Sequence, residues 1–154
     1  MREPRHEADT KLSWRYGRLT RDGDPQGLRL SLRHNSARRY QDRRRRTLFV
    51  GPGEKLVLIA PQGSALFVWR RFYNRDVQEG VNAALFRNES RHRSSDRIRE
   101  AMRSAWQRWP VQRLYTYVNA RKVRSSNPGY CFQRAGWRRC GTTRGGLVAL
   151  EATP

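Results

Sequence analysis

The chain has 154 residues, of which 36% are hydrophobic and 30% charged, and its formal net charge is +20. Its five Trp, six Tyr and five Phe fall mostly in patterned segments, which argues against a wholly disordered chain. No apolar run approaches membrane-spanning length, and the first residues do not resemble a signal peptide. We therefore expect a soluble intracellular protein, with a flexible N terminus over residues 1–11 and a single domain over residues 12–154.

The positive charge is carried almost entirely by arginine, since the chain has only three lysines. A pI near 11.6 predicts attraction to nucleic acid, anionic lipid or phosphorylated cofactors. The planar arginine fork matches phosphate groups and guanine edges. Two cysteines, Cys131 and Cys140, are too few for a disulfide framework or a metal-ligand set, so we expect both to be small buried hydrophobic residues and no metal to be bound.

In the N-terminal third, a turn over 22–25 precedes alternating leucines at 28, 30 and 32, which predict a half-buried strand. His34 follows and is either a structural residue or a candidate base. An arginine-rich tract comes next, and we favour phosphate-backbone contacts over a merely solvated face for it. The residues assigned to these contacts are Arg38, Arg39, Arg43, Arg44, Arg45 and Arg46.

Residues 56–60 and 65–69 are continuous apolar runs that flank a turn signal, and they predict an antiparallel hairpin of buried strands. The segment after the hairpin interleaves cations with aromatic residues, which suits base stacking with nearby phosphate neutralisation. The alternative is that these arginines simply extend along the protein surface at a strand end. The residues concerned are Arg70, Arg71, Tyr73 and Arg75.

Residues 81–86 predict another strand, followed by a polar loop and the clearest helix of the chain. Its apolar stripe has the i, i+3, i+4, i+7 spacing and comprises Ile98, Ala101, Met102, Ala105, Trp106 and Trp109. We expect Ser94 to be its N-cap, Asp96 to lie in its first turn and Pro110 to end it.

The C-terminal third begins with a predicted strand over 114–118 and a polar, basic loop. Residues 128–135 predict one or two helical turns, with Pro128 at the first position and Gly136 as the C-terminal cap. Segments 138–140 and 147–150 predict a last hairpin. The whole order of elements predicts an α+β fold with a mixed, mostly antiparallel sheet, one long helix and a short helix in the C-terminal half.

This order, with Asn127 after a strand and the pair Gly136-Trp137 after a short helix, resembles the GNAT acyltransferase superfamily over about residues 48–150. The resemblance implies an acyl-CoA or related acyl donor, whose pyrophosphate is bound by the loop before the long helix. The matching loop here has no glycine, so arginine side chains are the expected phosphate contacts. The implied donor-binding residues are Arg87, Asn88, Arg91, Arg93, Ser94 and Ser95.

The family's usual tyrosine general acid falls on Phe132. A GNAT-like core with this altered loop and a basic surface is similar to the Mom-type DNA-modifying proteins of phages. That similarity implies a group-transfer enzyme acting on DNA bases, of phage or mobile-element type, in the cytoplasm of a bacterial or phage-infected host cell. Its nucleic-acid contacts would also include Arg121, Lys122 and Arg124.

The expected cleft lies where the strands over 81–86 and 114–118 splay apart. The catalytic candidates are Asn127, Tyr130, Asn119, Tyr117, His34 and Glu89, with arginines near Glu89 lowering its pKa. Two alternatives stay open: a non-catalytic GNAT-like protein that binds nucleic acid through its basic face, and an ordinary acyl-CoA N-acetyltransferase. Membrane association is not expected.

Overall fold

The computed structural model describes residues 17–34, 47–72, 79–122 and 127–154. These residues form a seven-stranded, mostly antiparallel sheet and three α-helices, which confirms the predicted α+β class. The strands are β1 (Arg18–Thr20), β2 (Glu54–Ile59), β3 (Ala65–Arg71), β4 (Val81–Asn88), β5 (Leu114–Val118), β6 (Arg138–Thr142) and β7 (Val148–Ala152). The helices are α1 (Pro25–Arg33), α2 (Ser94–Arg108) and α3 (Tyr130–Arg134). The predicted flexible segment over residues 1–11 lies outside the described ranges.

The sheet has the order β1-β2-β3-β4-β5-β7-β6, and β4 and β5 are its parallel neighbours. Their pairing consists of Val81 with Leu114 and Asn82 with Tyr115, and it stops there. The register between β3 and β4 shifts so that Ala84 has no partner on β3. Such a bulge bends the strand that carries it, and this one lies where β4 leaves β5. The sheet is therefore open between the C-terminal ends of these two strands.

Helices cover both faces of the sheet. On one face, α2 and α3 cover a core that includes Phe67, Trp69 and Ile98, all fully buried. On the other face, Leu30 of α1 packs in a cluster with Val57 and Val68. Because alternate strand residues point to opposite faces, strands β2 and β3 are apolar at consecutive positions. The predicted hairpin of buried strands is confirmed.

The predicted strand at the alternating leucines is wrong, because this segment forms α1. The carboxylate of Asp24 caps the helix by accepting hydrogen bonds from the backbone N–H groups of Gln26 and Gly27, at 2.9 and 3.0 Å. Burial follows a spacing of three to four residues, with Gly27 and Leu30 buried, whereas Leu32 is 52% exposed. The Asp24 cap and Pro25 therefore start a helix, although the spacing of the leucines is also that of a strand.

The two C-terminal helices match their predicted positions with shifted first residues. Arg93, and not Ser94, occupies the N-cap position of α2, and Trp109 caps its other end just before Pro110. Helix α3 begins at Tyr130, two residues after Pro128. Among the described residues, none of the helices combines the length and the apolar character needed to cross a membrane.

The C-terminal end of α3 confirms the predicted glycine cap. Gly136 has a left-handed φ of +99° and donates its N–H to the Gln133 carbonyl at 3.0 Å. Trp137 donates its N–H to the Phe132 carbonyl at 3.1 Å, which completes the paired bonds of a Schellman motif. The chain then enters the β6–β7 hairpin, which was also predicted.

Candidate functional site

A cavity of about 170 Å³, which we call the β4–β5 cleft, lies where β4 and β5 diverge. This position is the one expected from the sequence. A cavity of about 150 Å³ is enough to admit a benzene molecule, so the cleft can hold one planar ring or a short acyl group. It is lined by His34, Ala83, Ala84, Leu85, Phe86, Thr116, Tyr117, Val118, Asn119, Gly129, Cys131 and Phe132.

Four segments that are distant in sequence build the cleft. The end of α1 contributes His34, β4 contributes its bulged stretch, β5 contributes its polar C-terminal end, and the start of α3 closes one side. The Thr116 hydroxyl donates a hydrogen bond to the Ala83 carbonyl at 2.9 Å. This bond joins the two strands beyond their last backbone pair. Because Thr116 and Tyr117 point to opposite faces of the sheet, the cleft is lined from both faces.

His34 is the titratable nitrogen base of the cleft. Burial lowers the pKa of its imidazole, the positive charges of Arg87 and Lys122 lower it further, and a hydrogen bond to the backbone of Phe86 partly offsets them. The ring is therefore neutral at pH 7. A neutral imidazole has one donor and one acceptor nitrogen, and a donated bond to a carbonyl leaves the other nitrogen as the acceptor.

Tyr117 is the phenol of the cleft. Burial raises its pKa, the neighbouring Arg113 lowers it and the Cys140 thiol raises it, and the net shift is upward. The hydroxyl group is therefore protonated at neutral pH and can donate a hydrogen bond or a proton. Its ring meets that of Tyr115 edge-on, with centroids 5.7 Å apart, which fixes its orientation on β5.

Asn119 lines the cleft and organises the turn that follows β5. Its side-chain oxygen accepts a hydrogen bond from the Arg121 N–H, and its backbone carbonyl accepts one from the Lys122 N–H, both at 3.1 Å. Arg121 and Lys122 are exposed. The turn thus carries two exposed cations next to a residue that lines the cleft.

Three catalytic candidates lie away from the cleft. Tyr130 is 54% exposed, since it is two residues, or about 200° of helix rotation, from the buried Phe132. Asn127 is exposed and donates to the Gln133 side chain at 2.9 Å. Glu89 accepts two hydrogen bonds from Arg33, at 2.7 and 3.1 Å, and these lower its carboxyl pKa. A carboxylate held in this ion pair is a poor general base.

The glycine-free loop before α2 is organised by the side chain of Asn88. Its amide nitrogen donates to the His92 carbonyl at 2.8 Å and to the Ser94 hydroxyl at 3.2 Å. Its amide oxygen accepts from the backbone and hydroxyl groups of Ser90, at 3.0 and 2.5 Å. Asn88 and Ser94 were expected to bind the acyl donor. In the structure their side chains form the hydrogen bonds that shape the loop.

The other residues that were expected to bind the acyl donor differ in their surroundings. Arg87 donates to the Arg33 carbonyl at 3.1 Å and lies 3.7 Å from Glu89, so its guanidinium is partly committed. Arg91 and Arg93 are exposed on the loop, and Ser95 is half-buried in the first turn of α2. Arg91 and Arg93 are accordingly the side chains of this set that can turn towards a phosphate.

Among the predicted nucleic-acid contacts, Arg70 has a packing role. Its Nε donates to the Pro52 carbonyl at 2.6 Å, and its guanidinium lies 4.6 Å from the centroid of the Phe72 ring. This arrangement favours the alternative that Arg70 extends along the surface at a strand end. Its neighbour Arg71 is half-buried at the end of β3. The remaining predicted contacts lie outside the described residues: Arg38, Arg39, Arg43, Arg44, Arg45, Arg46, Tyr73, Arg75 and Arg124.

Among the cleft residues that were not assigned to the site from the sequence, Thr116 and Cys131 carry a hydroxyl and a thiol. Thr116 had no signal beyond its place in β5. Cys131 was expected to be buried, but it is half-buried and lines the cleft, where burial raises the pKa of its thiol and keeps it protonated. The burial predicted for Cys140 is wrong, because β6 is the edge strand and all its residues are exposed.

No family model matches the chain, and no curated protein matches it significantly. Within the described ranges, no group of three or more His, Cys, Asp or Glu side chains is placed to hold a metal ion. The functional assignment therefore depends on the chemistry of the β4–β5 cleft and of the surface around it.

Proposed function

We propose that the protein is a GNAT-like group-transfer enzyme that modifies nucleic acid, with a DNA base as the acceptor and an acyl-CoA or related molecule as the acyl donor. The observation that carries the proposal is the β4–β5 cleft, whose lining includes His34, with a neutral imidazole, and Tyr117, with a protonated phenol. The order of elements supports it: over the residues that carry the GNAT resemblance, three strands, a long helix, a strand, a short helix and two strands follow one another.

The residues of the cleft suit the proton transfers of acyl transfer. When bound, an acyl-CoA supplies an activated acyl carbon as a thioester, and the cleft has the volume for the acyl group. His34 accepts the proton that the acceptor amine loses as the new C–N bond forms. Tyr117 would supply a proton to the thiolate that leaves as the C–S bond breaks, and proton exchange with solvent would return His34 and Tyr117 to their starting states, so that one proton passes in net from amine to sulfur.

The charge of the protein supports nucleic acid as the acceptor. Arg87 and Lys122 are close enough to lower the pKa of His34, and Arg121 lies beside Lys122 in the turn that follows the cleft residue Asn119. The whole chain has a formal net charge of +20, which a small neutral amine would not require and which a polyanion would meet.

The test is mass spectrometry of nucleosides from the DNA and RNA of cells that express the protein or its variants. We expect a modified base in the wild type, its loss in His34→Gln, and a decrease of about 10²-fold in Tyr117→Phe. The double variant Asn127→Ala, Tyr130→Phe is the matched control outside the cleft and should retain the modification. Unmodified nucleosides in every strain, together with salt-sensitive DNA binding by the purified protein, would refute the enzymatic proposal.

Two observations favour a second candidate, a non-catalytic protein with the same basic surface. Phe132, at the position of the family's usual general acid, packs 4.9 Å from the Trp137 ring centroid, in the core. Glu89, the carboxylate considered as a base, is held by Arg33. An ordinary acyl-CoA N-acetyltransferase is less well supported, because Asn88, and not glycine, shapes the loop that would meet the pyrophosphate.

A further inference from the structure

His34 reaches the β4–β5 cleft from just beyond the last turn of α1. It caps that helix with an extended backbone, and its N–H donates to the Ser31 carbonyl at 3.2 Å. Apolar burial on α1 extends to Leu30, whereas Leu32 and Arg33 are exposed. The core therefore fixes the middle of the helix, and polar contacts set how closely its last turn lies against the sheet.

Three charged side chains join this last turn to the end of β4, and we call Arg33, Arg87 and Glu89 the α1–β4 ion cluster. Nη1 of Arg33 donates to both carboxylate oxygens of Glu89, at 2.7 and 3.1 Å. Nη1 of Arg87 donates at 3.1 Å to the carbonyl of Arg33, which directly precedes His34. Nη2 of Arg87 lies 3.7 Å from the same carboxylate. Glu89 is itself fixed, because its backbone N–H donates to the Ser64 carbonyl at 2.8 Å.

Glu89 is the acidic member of a group that contains three arginines. A hydrogen bond from Arg33 lowers its carboxyl pKa most, burial opposes this, and the charges of Arg33, Arg87 and Arg29 lower the pKa further. Arg29 and Arg33 belong to α1, whereas Arg87 belongs to β4. An isolated ion pair at a protein surface contributes little, but here one carboxylate lies between like charges on two elements. Its removal would leave these charges to repel each other and would push the last turn of α1 away from β4.

We propose that Glu89 is a positioning residue: through Arg33 and Arg87 it holds the last turn of α1 against β4 and so keeps the His34 imidazole in the cleft. The consequence for catalysis rests on the proposed function, whereas the place of His34 can be measured without any activity. A carboxylate that is a poor general base is thereby still needed at the site.

The charged and titratable groups around His34 come from β4, from β5 and its following turn, and from α3. Burial lowers the pKa of the imidazole most, and Arg87 on β4 and Lys122 in the turn after β5 lower it further. The hydrogen bond to the backbone of Phe86 raises it. The other titratable side chains that line the same cleft are Tyr117 and Cys131.

The effect of Glu89→Gln on the His34 pKa has a different sign for each role that the carboxylate can have. If Glu89 positions His34, its loss releases the imidazole from the cleft, burial is relieved and the pKa rises towards its ordinary value. If Glu89 acts through its charge alone, the loss of a negative charge disfavours the imidazolium and the pKa falls. The direction of the change therefore reports whether His34 has moved.

The test is an NMR pH titration of the His34 imidazole in the purified full chain, with its signal assigned by comparison with His34→Gln. We expect Glu89→Gln to raise this pKa. The charge exchange Arg33→Glu, Glu89→Arg restores the attraction between α1 and β4 and should return the pKa to near that of the wild type. Backbone amide spectra show whether each variant is folded, and Glu89→Gln alone decides the test if the exchange variant is not.

The same variants are then compared by mass spectrometry of nucleosides from cells that express them. Glu89→Gln should lower base modification at least 10-fold, because a misplacement of about 1 Å can reduce a rate by about 10²-fold. The charge exchange should restore most of it. A general base at position 89 would be absent from the exchange variant, so recovery distinguishes positioning from proton transfer.

Asp96→Asn is the matched control. It also converts a carboxylate into an amide, and it breaks an exposed ion pair on α2, in which Asp96 lies 3.1 Å from Arg99. The His34 pKa should stay at its wild-type value in this variant, and the amount of modified base should stay within 2-fold of the wild type.

An unchanged or lowered His34 pKa in Glu89→Gln would show that the imidazole stays in the cleft without the ion cluster, and the proposal would be overturned. An equal rise in Asp96→Asn, or a folded exchange variant in which the rise persists, would overturn it as well.

Failure of this inference and failure of the proposed enzyme are distinguishable. If no strain contains a modified base, the enzymatic proposal fails, yet the pKa of His34 still reports whether Glu89 holds it in the cleft. If Glu89→Gln modifies bases as the wild type does and its His34 pKa is not raised, the positioning role fails and the proposed function stands.

Discussion

Replacing Gly129 by alanine tests how tightly the start of α3 is held against the sheet beside the cleft. Gly129 has a left-handed φ of +82°, and an added Cβ would overlap Cδ1 of Leu150. Leu150 is fully buried, so its side chain cannot move into solvent. The left-handed conformation costs about 1–2 kcal/mol for a non-glycine residue. Overpacking a core adds about 1–3 kcal/mol, so we expect a total destabilisation of about 2–5 kcal/mol.

Gly136 provides the matched control for this prediction. It also has a left-handed φ, of +99°, but an added Cβ would meet no atom within 4 Å. Gly136→Ala should therefore lower the free energy of unfolding only by the cost of the left-handed conformation, about 1–2 kcal/mol. Both glycines flank the same short helix, so the difference between the two variants isolates the contact with Leu150.

The assay is urea unfolding of the two variants and the wild type, with the midpoints compared at equal slope. A Leu150→Ala background removes Cδ1, and there Gly129→Ala should cost no more than Gly136→Ala. Equal destabilisation by Gly129→Ala and Gly136→Ala in the wild-type background would refute the reasoning from the contact with Leu150.

Three further predictions concern α1, the core and the basic surface. Burial raises the Asp24 pKa, but hydrogen bonds from Thr20, Gly27 and other donors lower it more, so the net shift is downward. The free energy of unfolding of the wild type should therefore exceed that of Asp24→Asn by its full amount above pH about 4, and this difference should disappear as the pH falls further. Urea titrations of both proteins at several pH values measure it. Trp69→Phe removes the 3.0 Å bond from the indole N–H to the buried Ala101 carbonyl and should lower the free energy of unfolding by about 1–3 kcal/mol, and a loss below about 0.5 kcal/mol would contradict that role. Arg121→Gln and Lys122→Gln should each reduce the slope of log K for oligonucleotide binding against log salt by about one, in titrations over a range of salt concentrations, whereas Arg103→Gln should leave the slope unchanged.

The sequence predicted most elements whose signal is local. The period of the apolar residues from Ile98 to Trp109 gave α2, and two apolar runs around a turn gave the β2–β3 hairpin. Gly136 was identified as a cap because a helix end needs a left-handed residue there. The error at α1 also has a local cause, since leucines at 28, 30 and 32 satisfy the strand period while the Asp24 cap selects a helix.

The candidate site was only partly predictable. Tyr117 and Asn119 follow from their place at the end of β5, and His34 was a candidate only as a histidine before a basic tract. Tyr130 was assigned from its closeness in sequence to the Gly-aromatic pair, but rotation along α3 turns it to solvent. The pairing of Glu89 with Arg33, 56 residues away, left a carboxylate that is unsuited to act as a base.

By itself, the sequence determined the α+β class, the excess positive charge and the approximate position of a cleft, because these depend on composition, on short-range periodicity and on the order of elements. Only the tertiary structure decided which side chains meet there. The two-residue pairing of β4 with β5, the bulge at Ala84 and the delivery of His34 from α1 all depend on contacts between segments far apart in the chain. Such contacts are selected by the packing of the whole core, and no local pattern of residues encodes them.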